Sequence, residues 1–247
     1  MIKRVVVLPD IHCPTEDKKS VKAVLQFIRD FKPHELIILG DFVDNYSISS
    51  HNKGKPGLVI GHDIAQEYHA CNKLLDTIQE IHRGKIVFLE GNHEFRSVRK
   101  AQENPELKDI LDIPKTLRLA EREIKYIECY SKGEVYRLGK AVFTHGIYTN
   151  DHHAKKHVMN FGSSIFYGHT HDLQSYSYTQ RGKDSTIVGQ SIGCLCEEQS
   201  YMQGKPNRWQ QAFGVFYFFP NGFFTYYAPR IFQHRFISPN GKIYGRG

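Results

Sequence analysis

The sequence predicts an α/β fold: a core sheet of parallel strands, helices that connect them, and a later region rich in antiparallel strands. Three patterns carry that reading. Short apolar runs recur between Val5 and Tyr167, and each is followed within two residues by Gly, Asp or His. An amphipathic stretch between the first two runs has the length of a crossover helix. Beyond Phe213, aromatic runs flank Asn221–Gly222, a two-residue hairpin signal.

The elements follow in order. Val5–His12 (VVVLPDIH) reads as a buried strand ending in a carboxylate and an imidazole. Over 18–31, Val21, Val24, Leu25 and Ile28 share one face, which predicts a helix leading to a second strand within Glu35–Asp41. Residues 61–81 contain another helix, with Ile64, Tyr68, Cys71, Leu75 and Ile78 inward and a stop near Gly84. Lys85–Glu94 is a third strand ending in GNHE, and a helix begins at His93. Pro105 and Pro114 break the following stretch, 107–123, into short helical pieces. Right-handed β-α-β crossovers follow from the parallel order. Residues 135–138 and 141–144 form adjacent strands around Gly139–Lys140, and 151–160 form a helix before a strand at 165–167. Residues 174–179, 185–192, 213–219 and 223–227 supply a second, largely antiparallel sheet. The reading is one domain over 1–236, with a weakly ordered tail over 237–247.

Composition narrows the class. With 40% hydrophobic and 24% charged residues, the chain has the balance of a globular protein with an ample core. A formal charge of +7 favours polyanionic partners, nucleic acid among them. The five cysteines are odd in number and contain no C-x-x-C pair, which favours free thiols in a reducing compartment. Val5–Leu8 is too short for a signal peptide's apolar region, and no run approaches the ~20 apolar residues of a membrane span. The expected location is cytoplasmic, the host cytoplasm if the protein is phage-encoded.

The motifs after the strands carry the chemistry. DIH lies at Asp10–His12, GDFVD at Gly40–Asp44, GNHE at Gly91–Glu94, THG at Thr144–Gly146 and GHTH at Gly168–His171. In open α/β sheets ligands bind beyond the carboxyl ends of the strands, where all five motifs fall. Asp, Asn and His are ligands for hard or borderline divalent cations. Two cations about 3.5–4 Å apart clamp a phosphate and lower the pKa of water to ~7, giving a hydroxide nucleophile at neutral pH. One GD or GNH after a strand is an ordinary turn; five motifs in order are enough for a dinuclear hydrolytic centre.

From Val5 to about Asp172 the motifs resemble the calcineurin-like metallophosphoesterase superfamily, and the chain looks like a compact, stand-alone member of the bacterial or phage type. The resemblance implies a two-sheet β-sandwich flanked by helices, αββα, with mixed sheets. It implies that Asp10, His12 and His171 hold one metal, that Asn92, His145 and His169 hold the other, and that Asp41 bridges them. It makes His93 the residue that contacts the phosphate and protonates the leaving oxygen, oriented by Asp44. It makes manganese the expected metal, with iron, zinc, cobalt or nickel as alternatives.

Two departures bear on substrate. The Ser/Thr protein phosphatase branch has an arginine after GDxxD and another before GNHE; here those positions are Asn45 and Glu90. Losing two guanidinium clamps argues against a phosphomonoester dianion and favours phosphodiesters, of nucleic acid or nucleotides. The alternatives are a small-molecule phosphomonoesterase, and a non-catalytic scaffold or nucleic-acid-binding protein on the same fold. The loop over 45–61 starts beside the metal motifs and offers Tyr46 and His51 to substrate, with Lys53 and Lys55 substrate-facing or solvated surface. Arg96, one turn into a helix, is a candidate phosphate contact or a surface ion pair. His153 and His157 have helical spacing beside Lys155 and Lys156; a basic face near the site makes His153 a further substrate candidate. Residues 197–211 carry Tyr201, Lys205, Arg208 and Trp209, and Trp209 either stacks on a base or packs in the core.

Overall fold

The computed structural model describes residues 1–179, 186–198 and 206–245. The expected strand over 185–192 therefore begins outside the described residues, as do Tyr201 and Lys205.

The chain opens with β1 (Lys3–Leu8), α1 (Lys18–Phe31), β2 (Glu35–Ile38), α2 (Ile64–Ile81), β3 (Lys85–Leu89) and α3 (Asn92–Glu103). Short turns α4 (Lys108–Leu111) and α5 (Ile113–Thr116) lead to β4 (Lys125–Ile127) and α6 (Cys129–Lys132). Next come β5 (Tyr136–Leu138), β6 (Ala141–Thr144), α7 (His153–Phe161), β7 (Ser164–Tyr167), β8 (Ser175–Thr179) and β9 (Thr186–Ser191). The chain closes with β10 (Gly214–Phe218), β11 (Phe224–Tyr227), β12 (Phe236–Ile237) and β13 (Ile243–Tyr244).

Two mixed sheets form. The first has the order β11-β10-β1-β2-β3-β4, with β1 to β4 parallel and β10 and β11 antiparallel on the outer flank of β1. The second has the order β5-β6-β7-β9-β8, parallel at β6, β7 and β9 and antiparallel at its edges. This revises the strand assignment: β10 and β11 belong to the first sheet, and the second is mixed. The reason is on the strands. Phe216 and Phe218 of β10 point into the space between the sheets, where Phe216 meets Phe143 at 5.2 Å and Phe166 at 4.7 Å. The three residues of β4 show no usable period, so the sequence does not announce that strand.

Alternation along the parallel strands sets the layers. Val5, Val7, Ile37, Leu39, Val87 and Leu89 face the second sheet and pack with Phe143, Phe166 and Val188. Val6, Leu8, Leu36, Ile38, Ile86 and Phe88 face the other way, under Val24, Phe27 and Ile28 of α1 and Leu75 and Ile78 of α2. Burial on both faces explains why these strands read as unbroken apolar runs. On the far side, Val142, Ile165 and Tyr167 meet Val158 of α7. The result is four layers, helix, sheet, sheet, helix.

Residues 237–245 also depart from expectation. β12 and β13 pair as a ribbon that docks on α1. Tyr244 is buried, stacked on Phe236 and edge-on to Phe27, with its hydroxyl donating to Asp30 at 3.1 Å. One buried aromatic in each two-residue strand is too sparse a pattern to be read from sequence.

Candidate dinuclear metal centre

The five parallel strands β1, β2, β3, β6 and β7 end at one edge of the sandwich, and each motif begins within a few residues of a strand end. The turns after them are tight. Asp10, His12, Asp41, His169 and His171 all have positive φ, between 40° and 69°. Side chains rarely adopt this conformation, at a cost on the order of 1 kcal/mol or more each. Such strain persists where surrounding structure holds it, and here it aims ligand atoms at common points. A Cβ at Gly168 would collide with the Asp10 carboxylate, and one at Gly91 with Asp41. Only glycine lets the motifs close on each other.

The donor atoms fall into two groups. Those of Asp10, His12, Asp41 and His171 lie within 4.8 Å of one another, as do those of Asp41, His145 and His169. The Nε2 atoms of His12 and His171 are 3.2 Å apart, and His171 Nε2 is 3.2 Å from Asp10 Oδ1. In the second group, His145 Nε2 lies 3.3 Å from Asp41 Oδ2 and 2.9 Å from Asn92 Oδ1. Asp41 is common to both.

Two of the rings are held from behind. His145 Nδ1 lies 3.0 Å from the Leu39 carbonyl, and His12 Nδ1 3.2 Å from Asp44 Oδ1. Donation from Nδ1 makes Nε2 the nitrogen that a metal would take. Asp10 accepts from the His169 amide and Asp41 from the His93 amide. Glu94, fully buried, accepts from the amides of Asp41, Val43 and Gly91 at 2.8–2.9 Å. It ties the GDFVD turn to the GNHE turn. Burial and the neighbouring Asp41 charge push its carboxyl up to about 7.

The electrostatics favour cations. Burial opposes ionisation of Asp41, yet the charges of His145 and His93 hold it well below the usual carboxylate range. Burial likewise disfavours a charged His145, but Asp41 overcomes it and lifts the imidazole to about 10. His169, buried beside that positive ring, falls to about 4. Without metal the cluster thus retains a proton on His145. Its oxygen and imidazole donors, with the Nε2 atoms of His12 and His171 facing one another, fit two divalent cations.

His93 stands next to the cluster. Its Nδ1 lies 2.6 Å from the Asp44 carbonyl and 3.0 Å from Asp44 Oδ1. Asp44 therefore serves both His12 and His93. Burial lowers the His93 pKa against the pull of Asp41. Arg96 Nη2 is 2.7 Å from His93 Nε2.

A cavity of about 630 Å³ opens over the centre, lined by Asp41, Asp44, Asn92, His93, His169 and His171. Tyr46, His51, Arg96 and Trp209 line it too. The Trp209 ring packs edge-on against His171 at 4.1 Å, so it lines this cavity and does not pack in the core. Arg208 instead pairs with exposed Asp151 at 3.0 Å.

His153 is a correction. It is buried, with Nδ1 2.7 Å from the Tyr167 hydroxyl and Nε2 3.0 Å from Asp172 Oδ2. His157 is buried one turn on and accepts from the Ile147 amide at 3.0 Å. Spacing of four placed both on the inner face of α7, while Lys155 and Lys156 face solvent. The two departures from the phosphatase pattern also have structural work. Asn45 donates to the His93 carbonyl and Ser97, and Glu90 accepts from the Ser131 amide at the start of α6. Tyr130 is an addition that sequence reasoning did not supply: its ring lies 6.2 Å from both His145 and His169. No motif marks it, because α6 brings it there from an irregular segment.

A gene 54 protein of Mycobacterium phage L5 is 25% identical over 229 residues, 87% of this chain and 89% of that protein. A gene 54 protein of Mycobacterium phage D29 is 26% identical over 228 residues, with the same coverage. Vacuolar protein sorting 29 from Cryptosporidium parvum is similar over 95% of this chain and 94% of its own, at 11% identity and a TM-score of 0.49, too weak a likeness to add to the reading. Among the described residues, no helix is long and apolar enough to cross a membrane. The model of the calcineurin-like phosphoesterase family matches residues 3–173, more than half of the sequence and every motif at the centre, and the chain belongs to that family.

Proposed function

We propose that this protein is a metal-dependent phosphodiesterase acting on nucleic acid or nucleotides. The observation that carries the reading is the convergence of seven donor side chains on two points that share Asp41, with His93 beside them in one cavity. Family membership supports phosphoester hydrolysis in general. Asp10, His12, Asp41 and His171 would hold one cation, and Asp41, Asn92, His145 and His169 the other, with manganese the first to assay. Bound cations supply an activated water near neutral pH and neutralise charge on the phosphate.

The chain's own residues do the rest. Asp44 holds the His93 ring through Nδ1, so Nε2 faces the cavity; once Arg96 has turned to the phosphate and Nε2 has taken up a proton, the imidazolium can deliver that proton to the leaving oxygen. Arg96 offers a guanidinium at that nitrogen, where a phosphate oxygen would arrive. Tyr46, His51 and Trp209 give the cavity polar and aromatic walls for the groups flanking phosphorus. A single guanidinium, without the two clamps of the protein phosphatases, suits a singly charged diester better than a dianion. The likeness to phage proteins and five unpaired, buried cysteines support a place in the host cytoplasm.

The test is manganese-dependent hydrolysis of bis(p-nitrophenyl) phosphate beside p-nitrophenyl phosphate, with His93→Ala as control. Preferential diester cleavage supports the reading. Monoester preference replaces it with a phosphatase, and no turnover with any divalent metal leaves a binding or scaffold role.

A further inference from the structure

A second cavity, of about 240 Å³, adjoins the one over the metal centre. It lies between the segment 47–59 and α3, and Ser49, Asn52 and Arg96 line both. Its walls gather Lys53 from the loop with Arg96, Arg99 and Lys100 from α3. The acid in its lining is Glu103, 3.6 Å from Lys100. Lys53 and Arg99 are exposed, and the Arg99 guanidinium lies 5.5 Å from the Phe95 ring centre.

Positive charge therefore does not stop at His93. It continues through Arg96 along the outer side of α3. A substrate with one phosphate would leave Lys53 and Arg99 facing water. A chain of phosphodiesters would set its next phosphates against them, while Tyr46 and Trp209 in the adjoining cavity offer rings on which flanking bases stack. We propose that this groove holds the neighbouring phosphates of a single-stranded nucleic acid whose scissile phosphate lies against His93 and Arg96. The inference rests on the phosphodiesterase reading and names its substrate class. A single strand is favoured over a duplex because Asp41, Asp44 and His93 are buried. A flexible strand can dip a phosphate to that depth; a stiff duplex holds its phosphates on its surface.

The experiment measures binding and turnover separately. Labelled single-stranded DNA, single-stranded RNA and duplex DNA are titrated by fluorescence anisotropy at several salt concentrations, and bis(p-nitrophenyl) phosphate reports chemistry at the centre. The double variants Lys53→Glu/Arg99→Glu and Lys53→Gln/Arg99→Gln are compared with the parent chain, the second guarding against misfolding from reversed charge. For both variants, strand affinity falls, by about tenfold or more for the charge reversal, and the salt slope becomes shallower by roughly 0.7 for each phosphate that the groove no longer neutralises. Hydrolysis of the small diester, which has no second phosphate, stays within about twofold. Parent-like strand affinity and salt slope in both variants overturn the groove, as does tighter binding of duplex than of strand. If the parent chain hydrolyses no diester yet binds strands in this variant- and salt-sensitive way, the groove stands and the hydrolytic reading fails. DNA and RNA arms decide which strand it prefers.

Discussion

The guanidinium of Arg96 donates from Nη2 to Nε2 of His93 across 2.7 Å and from Nη1 to the Asp44 carbonyl across 3.0 Å. An imidazole nitrogen that accepts carries no proton, so the His93 proton sits on Nδ1, facing Asp44. Asp44 thus sets the tautomer while Arg96 covers the nitrogen that faces the cavity. A phosphate that draws Arg96 to itself uncovers Nε2, linking substrate arrival to the readiness of His93.

This pair gives the first prediction. Burial is the main influence lowering His93, and Arg96 adds to it. In metal-free protein, Arg96→Ala raises the His93 titration midpoint and Arg96→Lys raises it less, read from imidazole nitrogen shifts by NMR. Diester kcat/KM falls about tenfold or more, because a hydrogen bond to a charged group contributes ~1.5–3 kcal/mol. An unchanged midpoint in Arg96→Ala would mean that the two side chains do not stay together in solution.

Metal binding and proton delivery separate by mutation. Asp41→Ala removes the carboxylate shared by both donor groups. It lowers metal content measured by mass spectrometry and abolishes turnover. Asn92→Ala loses activity through the group containing His145. His93→Ala keeps its metals and loses roughly 10²–10⁴ in rate, the span of general acid–base catalysis. Full activity in any of the three breaks the role assigned to that residue.

Metal loading weakens as pH falls. His145 is held at about 10 by Asp41, so at neutral pH a cation that takes its Nε2 must release its proton. His169, at about 4, is already neutral and releases none. Between pH 6 and 8 the His145 proton makes affinity rise about tenfold per pH unit. Calorimetry in buffers of different ionisation enthalpy counts the proton directly. Loading that does not vary with pH would contradict the charge assigned to His145.

The candidate metal centre was legible because a strand end followed by Asp, Asn or His is a local pattern. Asp10, Asp41, Asn92, His145, His169 and His171 each stand within four residues of a strand end, and topology alone gathers them. What escaped depends on packing between distant segments. The pairing of β10 with β1 spans most of the chain, and Tyr130 approaches the site from the single helical turn α6. Trp209 could be placed only once its packing on His171 was visible. His153 looked like a basic surface residue because Lys155 and Lys156 stand beside it. Helical spacing cannot say which face is buried when both faces carry polar residues.

That buried histidine makes the last prediction. His153 joins the Tyr167 hydroxyl to Asp172, whose Oδ1 also accepts from Thr170 and Ser191. These bonds hold the turn that carries His169 and His171. His153→Ala leaves two buried polar groups short of a partner, which costs about 2–4 kcal/mol. Urea denaturation should show that loss while the substrate KM stays unchanged; a residue that touched substrate would raise KM and leave stability alone. The pH dependence adds a second signature. Burial resists ionisation of Asp172, but His153, Thr170 and Ser191 outweigh it and hold the folded carboxyl below its usual range. A depressed carboxyl contributes stability in full above its unfolded pKa of ~3.9 and loses it as pH falls through the folded value. The stability difference between parent and variant is therefore widest near neutral pH and shrinks in acid. A difference that stayed constant down to strongly acidic pH would mean that the Asp172 charge plays no part in holding the turn.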